Sequence, residues 1–131
     1  MPIRFAYDRS VNVLFTKAEG LISFEDINRH LDEESRADAL ALREIVDATD
    51  AHTNLSLEEI REVAARLYHL AGTHSLGPTA VVTENDVVFG MARMLAILSE
   101  LQGGPQTQVF RRFDEGMRWL LRTLPNGDGP V

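Results

Sequence analysis

Four side chains that could bind a cation or a small polar ligand follow two of the predicted strands. They are Asp47, Asp50, His52 and Asp86. Because ligands of α/β proteins bind at the carboxyl edge of the sheet, these residues define a candidate ligand edge. Carboxylates with one histidine suit a hard or borderline cation. Their spacing matches no metal motif, however, and polar loops commonly have this composition. A solvated loop is therefore the favoured interpretation, and no metal is predicted.

Two hydroxyl groups, Thr53 and Ser56, are candidate phosphorylation sites. Ser56 stands at the start of a predicted helix, where the helix N-terminus stabilises added negative charge. Glu59 follows three residues later, which is the spacing of a capping box. Because an N-cap is already a sufficient role for a serine at this position, capping is the favoured interpretation of Ser56.

Signatures of enzyme families are missing from the sequence. No two histidines have the spacing of a metalloprotease helix, and no Gly-x-Ser-x-Gly elbow is present. Gly103 and Gly104 precede a predicted strand, which is the reverse of the order in a phosphate-binding loop. We therefore predict no catalytic residues, no cofactor and no enzymatic activity. The four histidines are His30, His52, His69 and His74.

Composition indicates one ordinary globular domain. The chain has 131 residues, of which 44% are hydrophobic and 25% are charged. A formal net charge of −7 repels phosphate backbones and anionic headgroups, so neither nucleic acid nor a membrane is an expected partner. The lack of cysteine excludes disulfides and fits a reducing compartment, so a cytoplasmic location is expected. We predict a single domain over residues 1–124 and a flexible Pro/Gly-rich tail over 125–131.

Hydrophobic periodicity predicts a β-β-α-β-α-β-α-β-α order. The first two strands form a hairpin, and strands that then alternate with helices indicate parallel pairing. Polar residues in the third and fifth strands favour a five-stranded sheet with its helices mainly on one face. The predicted strands are 3–7, 11–17, 43–48, 79–83 and 107–110, and the predicted helices are 24–38, 57–71, 87–101 and 113–121. The segment 47–54 is predicted to be a polar loop.

The third predicted helix, 87–101, is apolar on more sides than one sheet can cover. An apolar face left in water usually marks an interface, and methionines suit a loosely complementary partner. A symmetric homodimer is the commonest solution for such a face, and burial between neighbouring helices is the alternative. The predicted core side is Val87, Val88, Met91, Met94, Leu95, Leu98 and Leu101. The predicted interface is Phe89, Ala92, Arg93, Ala96 and Ile97.

The element order, together with particular segments, resembles a known superfamily. These segments are Val81-Val82, Phe89-Gly90-Met91-Ala92-Arg93-Met94, Val109-Phe110-Arg111 and Asp114-Glu115-Gly116-Met117-Arg118-Trp119-Leu120. The chain resembles the STAS fold, and more closely the bacterial SpoIIAA-like or STAS/Sec14-type group, from about Ile3 to about Leu121. These motifs are core and helix patterns without a catalytic signature, so the resemblance implies a fold and no particular chemistry.

The resemblance also implies a regulatory role. Well-understood relatives are switches in which a partner kinase phosphorylates a serine near the start of the second helix. Asp47 matches the strand-end aspartate of that element, and Thr53 or Ser56 falls in the phosphosite region, but the Asp-Ser-Ser/Thr-Gly element itself is missing here. A regulatory protein partner is thus an expectation that comes from the resemblance alone.

Two functions from different classes follow. The first is a non-enzymatic interaction or regulatory module that self-associates through the third helix as a homodimer. The second is a protein that binds a small apolar, lipid-like ligand in a pocket between the helices and the sheet. Sec14-type proteins bind lipids in this way, although they are larger and have lid elements that this chain has no length for.

Overall fold

A computed structural model describes residues 2–123, which form one five-stranded sheet and four helices. The elements appear in the predicted order. They are β1 (Ile3–Asp8), β2 (Val13–Ile22), α1 (Phe24–Arg36), β3 (Arg43–Thr53), α2 (Leu57–Ala71), β4 (Thr79–Val82), α3 (Asp86–Leu101), β5 (Thr107–Phe110) and α4 (Phe113–Arg122).

The strands lie side by side in the order β1-β2-β3-β4-β5. β1 is antiparallel to β2, and the other neighbours are parallel. Each crossover advances one strand in the same direction, so crossovers of one hand place α1, α2 and α3 on the same face of the sheet. α4 follows β5 and packs on the opposite face. The predicted fold class is therefore confirmed.

Two apolar layers hold the helices to the sheet. Beneath α4 the core is formed by Val13, Ile45, Ala80, Val82 and Leu120. On the other face a second cluster contains Ala18, Ile22, Ala48, Ala51 and Val88. Because side chains alternate across a strand, β3 supplies residues to both layers and is the central strand of the domain.

Three of the four helices begin with a capping side chain, whereas α4 begins after Arg112 without a side-chain cap. Ser56 and Glu59 complete the predicted capping box of α2, and Ser23 and Asp26 form a second box at the start of α1. α3 is capped by Asn85, whose Oδ1 accepts hydrogen bonds from the backbone N–H groups that follow it.

β2 and β3 extend well beyond their predicted ends. β2 continues through Gly20 to Ile22, and β3 continues through the segment predicted as a polar loop to Thr53. The register shifts between Lys17 and Glu19, and Gly20 has a φ of 74°, so an irregularity lets the pairing resume where the sequence indicated a break. The small apolar residues of the extension are buried, which stabilises it.

The predicted faces of α3 are right in part, and the buried face is rotated from the predicted one by about a quarter of a turn. Val88 is buried and Ile97 is 52% exposed, as predicted. Three predicted core residues, Val87, Met94 and Leu101, are instead exposed by 57%, 41% and 78%. Ala96 and Ser99, which the prediction did not place in the core, are buried. The prediction placed the larger apolar residues in the core. The structure instead turns small side chains inward, which allows close packing. For example, Gly104 lies so near Ser99 that a Cβ there would be 2.2 Å from the Ser99 hydroxyl.

Two further sequence-based expectations concern the C-terminal end of the chain and its relation to a membrane. The tail predicted at 125–131 lies outside the described residues, and the domain limit at residue 124 stays a prediction. Within residues 2–123, none of the helices combines the length and hydropathy needed to cross a bilayer.

Gly77 provides a test of the packing between the loop after α1 and the strand β4. A Cβ built on Gly77 would lie 2.1 Å from the backbone oxygen of Leu42, which cannot move away easily. We expect Gly77→Ala to lower the free energy of unfolding by about 2 kcal/mol or more, as large steric conflicts do. Urea unfolding at low protein concentration measures the change.

Gly90 is the matched control, because a Cβ there would meet nothing within 4 Å. Gly90→Ala should raise the free energy of unfolding by about 0.5–1 kcal/mol through helix propensity. Equal effects of the two substitutions would contradict the close approach at Gly77.

Candidate functional site

A cavity of about 230 Å³ lies between the sheet and the three helices on its more heavily covered face. Apolar side chains of α1, α2 and α3 form its roof, among them Leu31, Val63 and Leu95. The sheet side is lined by small residues, including Ala18, Ala48 and Ala51. Because these alanines do not fill the space under the helices, the space remains open.

One part of the cavity wall is polar and buried. His30 and Glu34 are one turn apart on α1, so their side chains lie on the same face of that helix. Glu44 and Thr16 come from the neighbouring strands β3 and β2. All four residues line the cavity, and Thr16, Glu34 and Glu44 are only 3%, 4% and 7% exposed.

These four side chains form one connected cluster, the His30–Glu44 cluster. His30 Nε2 lies 2.9 Å from Glu44 Oε2 and 3.1 Å from Glu34 Oε1. Thr16 Oγ1 donates a hydrogen bond of 2.5 Å to the same oxygen of Glu44. The edge of the Phe5 ring packs against His30, with 5.5 Å between the ring centroids.

Burial and mutual attraction determine the charges of the cluster. Burial alone would favour neutral His30, but hydrogen bonds and charge attraction from Glu34 and Glu44 raise the pKa of His30 to about 10. Burial and then repulsion from Glu44 raise the pKa of Glu34 to about 8. Burial works against the charge of Glu44 too, but hydrogen bonds from His30 and Thr16 lower its pKa. At neutral pH the cluster therefore holds a His30–Glu44 ion pair and a protonated Glu34.

This arrangement can do two things chemically. The nitrogen of His30 and one oxygen of each glutamate lie within 4.8 Å of one another, close enough to ligate a single cation. The same groups also satisfy one another through hydrogen bonds, without a metal. Since the cluster faces an apolar cavity, it can orient the polar end of a small molecule whose remainder contacts the apolar walls.

The four residues of the candidate ligand edge do not form one group. Asp47 and Asp50 both contact Lys17 Nζ, at 3.2 and 3.0 Å. Asp47 also accepts hydrogen bonds from Thr49, and its pKa is lowered against the effect of partial burial. Since β3 continues past Asp47, this aspartate lies within the strand rather than at its end.

The other two residues of that edge make separate contacts. His52 Nδ1 lies 3.3 Å from Asn85 Nδ2. Asp86 forms an ion pair with Arg111 at 2.8 Å. Among residues 2–123, only His30, Glu34 and Glu44 form a group of three potential metal ligands. The four edge residues therefore do not form a single ligand site, because three of them are spread along the extended strand β3.

Both candidate phosphorylation sites have structural roles. The Ser56 hydroxyl accepts a hydrogen bond from the Glu59 N–H, as the capping interpretation requires. Thr53 Oγ1 donates to the Ile22 carbonyl at 3.0 Å, which ties the ends of β3 and β2 together. Modification of either residue stays a prediction. Phosphorylation of Thr53 would remove the proton that its hydroxyl donates to the Ile22 carbonyl.

The five predicted interface residues of α3 are distributed over several environments. Ala96 is only 8% exposed, and Ala92 lines the cavity, so both face the interior. Phe89 is half-buried beneath the guanidinium of Arg111, 4.0 Å from the ring centroid. Arg93 and Ile97 are exposed and remain available to a partner.

The His30–Glu44 cluster was not predicted from the sequence, although two signals point to it. His30 and Glu34 are spaced i, i+4 on the same helix as the apolar residues Ile27 and Leu31. Glu44 lies in a strand whose next residues are apolar, which is unusual unless a partner neutralises its charge. Local sequence patterns do not show that α1 packs over β3, which is the contact that brings these residues together.

A second, more open groove of about 380 Å³ lies by β1 and β2. Its lining includes Arg4, Lys17 and Phe113. Arg4 and Lys17 already form ion pairs with neighbouring acidic residues, and Arg4 is largely solvated. The cavity under the helices is the stronger candidate, because it is mainly apolar and contains a buried polar cluster.

The raised pKa values predict how stability depends on pH. The folded state holds the His30 and Glu34 protons more tightly than the unfolded chain does, so stability falls as pH rises. The contribution of Glu34 to stability is lost between pH 4.5 and about pH 8. The contribution of His30 is lost between pH 6.5 and about pH 10. We expect the free energy of unfolding to fall most steeply between pH 6.5 and 8, where both ranges overlap. Urea unfolding from pH 5 to 10 measures this.

Glu34→Gln should flatten the part of this profile between pH 4.5 and 8, since it removes the buried titrating carboxyl. Glu33→Gln, one position away, makes the same substitution outside the cluster and should leave the steep region in place. Parallel profiles for the wild type and Glu34→Gln would show that Glu34 does not hold its proton in the folded state.

Comparison with known proteins supports the fold. No family model and no curated protein matches the chain. Among solved structures, it is similar to an uncharacterised protein of the DUF3478 family with a SpoIIAA-like fold from Shewanella loihica PV-4. The two are 17% identical, with a TM-score of 0.60 over 90% of this chain and 93% of the other. Identity this low bears on the fold alone, and the chain accordingly has a SpoIIAA-like fold.

Proposed function

We propose that this chain is a non-enzymatic STAS-like module that binds a small, mainly apolar molecule in the cavity beneath α1, α2 and α3. The observation that carries the proposal is an apolar cavity with a buried polar cluster in its wall. Binding sites for small molecules commonly combine apolar walls with a few converging polar groups. The proposal involves no catalytic step.

The volume of the cavity suits a compact ligand. An engineered apolar cavity of about 150 Å³ is large enough to bind benzene, and this cavity measures about 230 Å³. A molecule with one or two rings, or a short branched chain, would therefore fit with limited rearrangement. Its apolar part would contact residues such as Leu31 and Leu95, and a single polar group would face Glu34.

The proposal predicts that the cavity can be closed by a substitution. Ala92 lines it from α3, and Ala92→Leu would place a larger side chain in the space. We expect an NMR titration with indole to shift the amide resonances of cavity residues in the wild type. In Ala92→Leu the same titration should show at least about tenfold weaker binding, because the site is filled.

Ala37→Leu is the control, because Ala37 is exposed at the end of α1. It should bind indole as the wild type does, and circular dichroism should show that all three proteins are folded. Native mass spectrometry of the purified wild type would detect a ligand that stays bound. If indole shifts no resonances in the wild type and no molecule co-purifies, the proposed binding function is wrong.

The exposed face of α3 favours a second function, self-association as an interaction module. Val87, Met94, Ile97 and Leu101 are all large apolar residues, and each is more than 40% exposed. They lie on one side of the helix and form an apolar stripe, which we call the α3 stripe. The helix used is the one predicted from the sequence, but the face is different. A regulatory protein partner remains an expectation from the family resemblance.

Self-association through this face predicts a concentration-dependent dimer. We expect sedimentation equilibrium to show dimer formation in the wild type, and Ile97→Lys to weaken it by at least about tenfold, since the charge would have to be buried. Leu21→Lys is the control, because Leu21 is an exposed apolar residue on β2, away from α3. A wild-type protein that is monomeric at all concentrations would exclude this function.

A further inference from the structure

We infer that two copies of this chain pair through antiparallel α3 helices, in a register that places Arg93 of one copy opposite Glu100 of the other. This inference rests on the second candidate function, self-association, and adds the orientation and register of the pair. It depends on three features of α3: the spacing of the stripe, the position of Gly90 and the placement of two charges.

The first feature is the spacing of the exposed residues. Val87, Gly90, Met94, Ile97 and Leu101 follow one another at intervals of three, four, three and four residues. Alternation of three and four is the seam pattern of paired helices, in which side chains of one helix fit between those of the other. A sheet-covering helix does not require this pattern on its solvent side.

The second feature is a gap in the stripe at Gly90. In an antiparallel pair, the register that places Met94 against Ile97 of the second copy also places Leu101 against Gly90 of the second copy. Leu101 is the most exposed large apolar residue of the helix, at 78%. A Cβ built on Gly90 would meet nothing within 4 Å. A projecting leucine thus fits into the gap left by the glycine.

The third feature is the charge along one edge of the stripe. Arg93 and Glu100 are both exposed, and each immediately precedes a stripe residue. The register fixed by Leu101 and Gly90 brings Arg93 opposite Glu100 of the second copy, and the two-fold symmetry repeats this pair. Along the other edge, the partly buried Met91 faces Leu98 of the second copy. A parallel pair would instead place Arg93 beside Leu98, without a charge partner.

The partner that these features fit best is a second copy of the chain. The whole protein has a net charge of −7, so two copies repel each other at long range. Opposite charges at the seam offset this repulsion locally and determine the register, as charges beside the seam do in coiled coils. The stripe is complementary to itself, since it provides both the leucine and the gap.

Charge reversal with rescue tests the register. Arg93→Glu would place glutamates opposite each other at both symmetric positions, and Glu100→Arg would do the same with arginines. We expect each single substitution to weaken the dimer by at least about tenfold in sedimentation equilibrium. The double variant Arg93→Glu/Glu100→Arg restores both pairs with reversed polarity, and its dissociation constant should return to within about threefold of the wild type.

Arg9→Glu makes the same change of net charge in the exposed turn between β1 and β2, at the opposite side of the sheet, and should have little effect. If the wild type dimerises and Ile97→Lys disrupts the dimer, but the double variant is as weak as the singles, the antiparallel register is wrong while self-association stands. If the wild type does not dimerise at all, self-association itself fails, and this inference fails with it.

Discussion

The ionised carboxylate of Glu44, buried on the central strand, constrains much of this structure. An isolated charge in such a place costs far more than a folded domain can tolerate, so partners must surround it. Thr16 supplies one from the neighbouring strand, and His30 supplies the other from the first helix. The position of α1 over the sheet is therefore set by charge as well as by apolar contact. Removing one partner of a buried ion pair typically costs about 3–5 kcal/mol.

The cavity lies in the same layer as Glu44, between the sheet and the helices α1, α2 and α3. Alanines on the sheet and on the inner face of α3 leave space that bulkier residues would have filled. Four large apolar side chains of α3 point to solvent instead of into this space: Val87, Met94, Ile97 and Leu101. One helix thus provides both the open space inside the domain and the apolar stripe outside it. Both proposed functions therefore depend on which face of α3 packs against the sheet.

The sequence predicted most of the architecture but little of the site. Element order, helix caps and sheet type follow from local patterns, such as the Ser56–Glu59 capping box and the alternation in β1. The ends of β2 and β3 were missed because the polar residues and glycine of this region indicated a break. Their pairing depends on a neighbouring strand, which local patterns do not contain.

The face of α3 and the His30–Glu44 cluster were missed for a related reason. Hydrophobicity ranks Leu101 above Ser99 for burial, yet close packing at Gly104 favours the smaller side chain. The cluster joins residues 14 positions apart on a helix and a strand, and only the crossover between them brings them together. The i, i+4 spacing of His30 and Glu34 indicates that they share a helix face, but it contains no information about their contact with Glu44.

The strand order has a consequence for how the molecule assembles. Because each strand pairs with the one before it, the sheet can grow in the direction of synthesis, without waiting for a distant segment to arrive. The ribosome would release first the portion that contains β1, β2, α1 and β3, and with it the buried ion pair. One surface of this nascent sheet lacks its cover until α4 emerges, so its apolar side chains stay exposed to water until then.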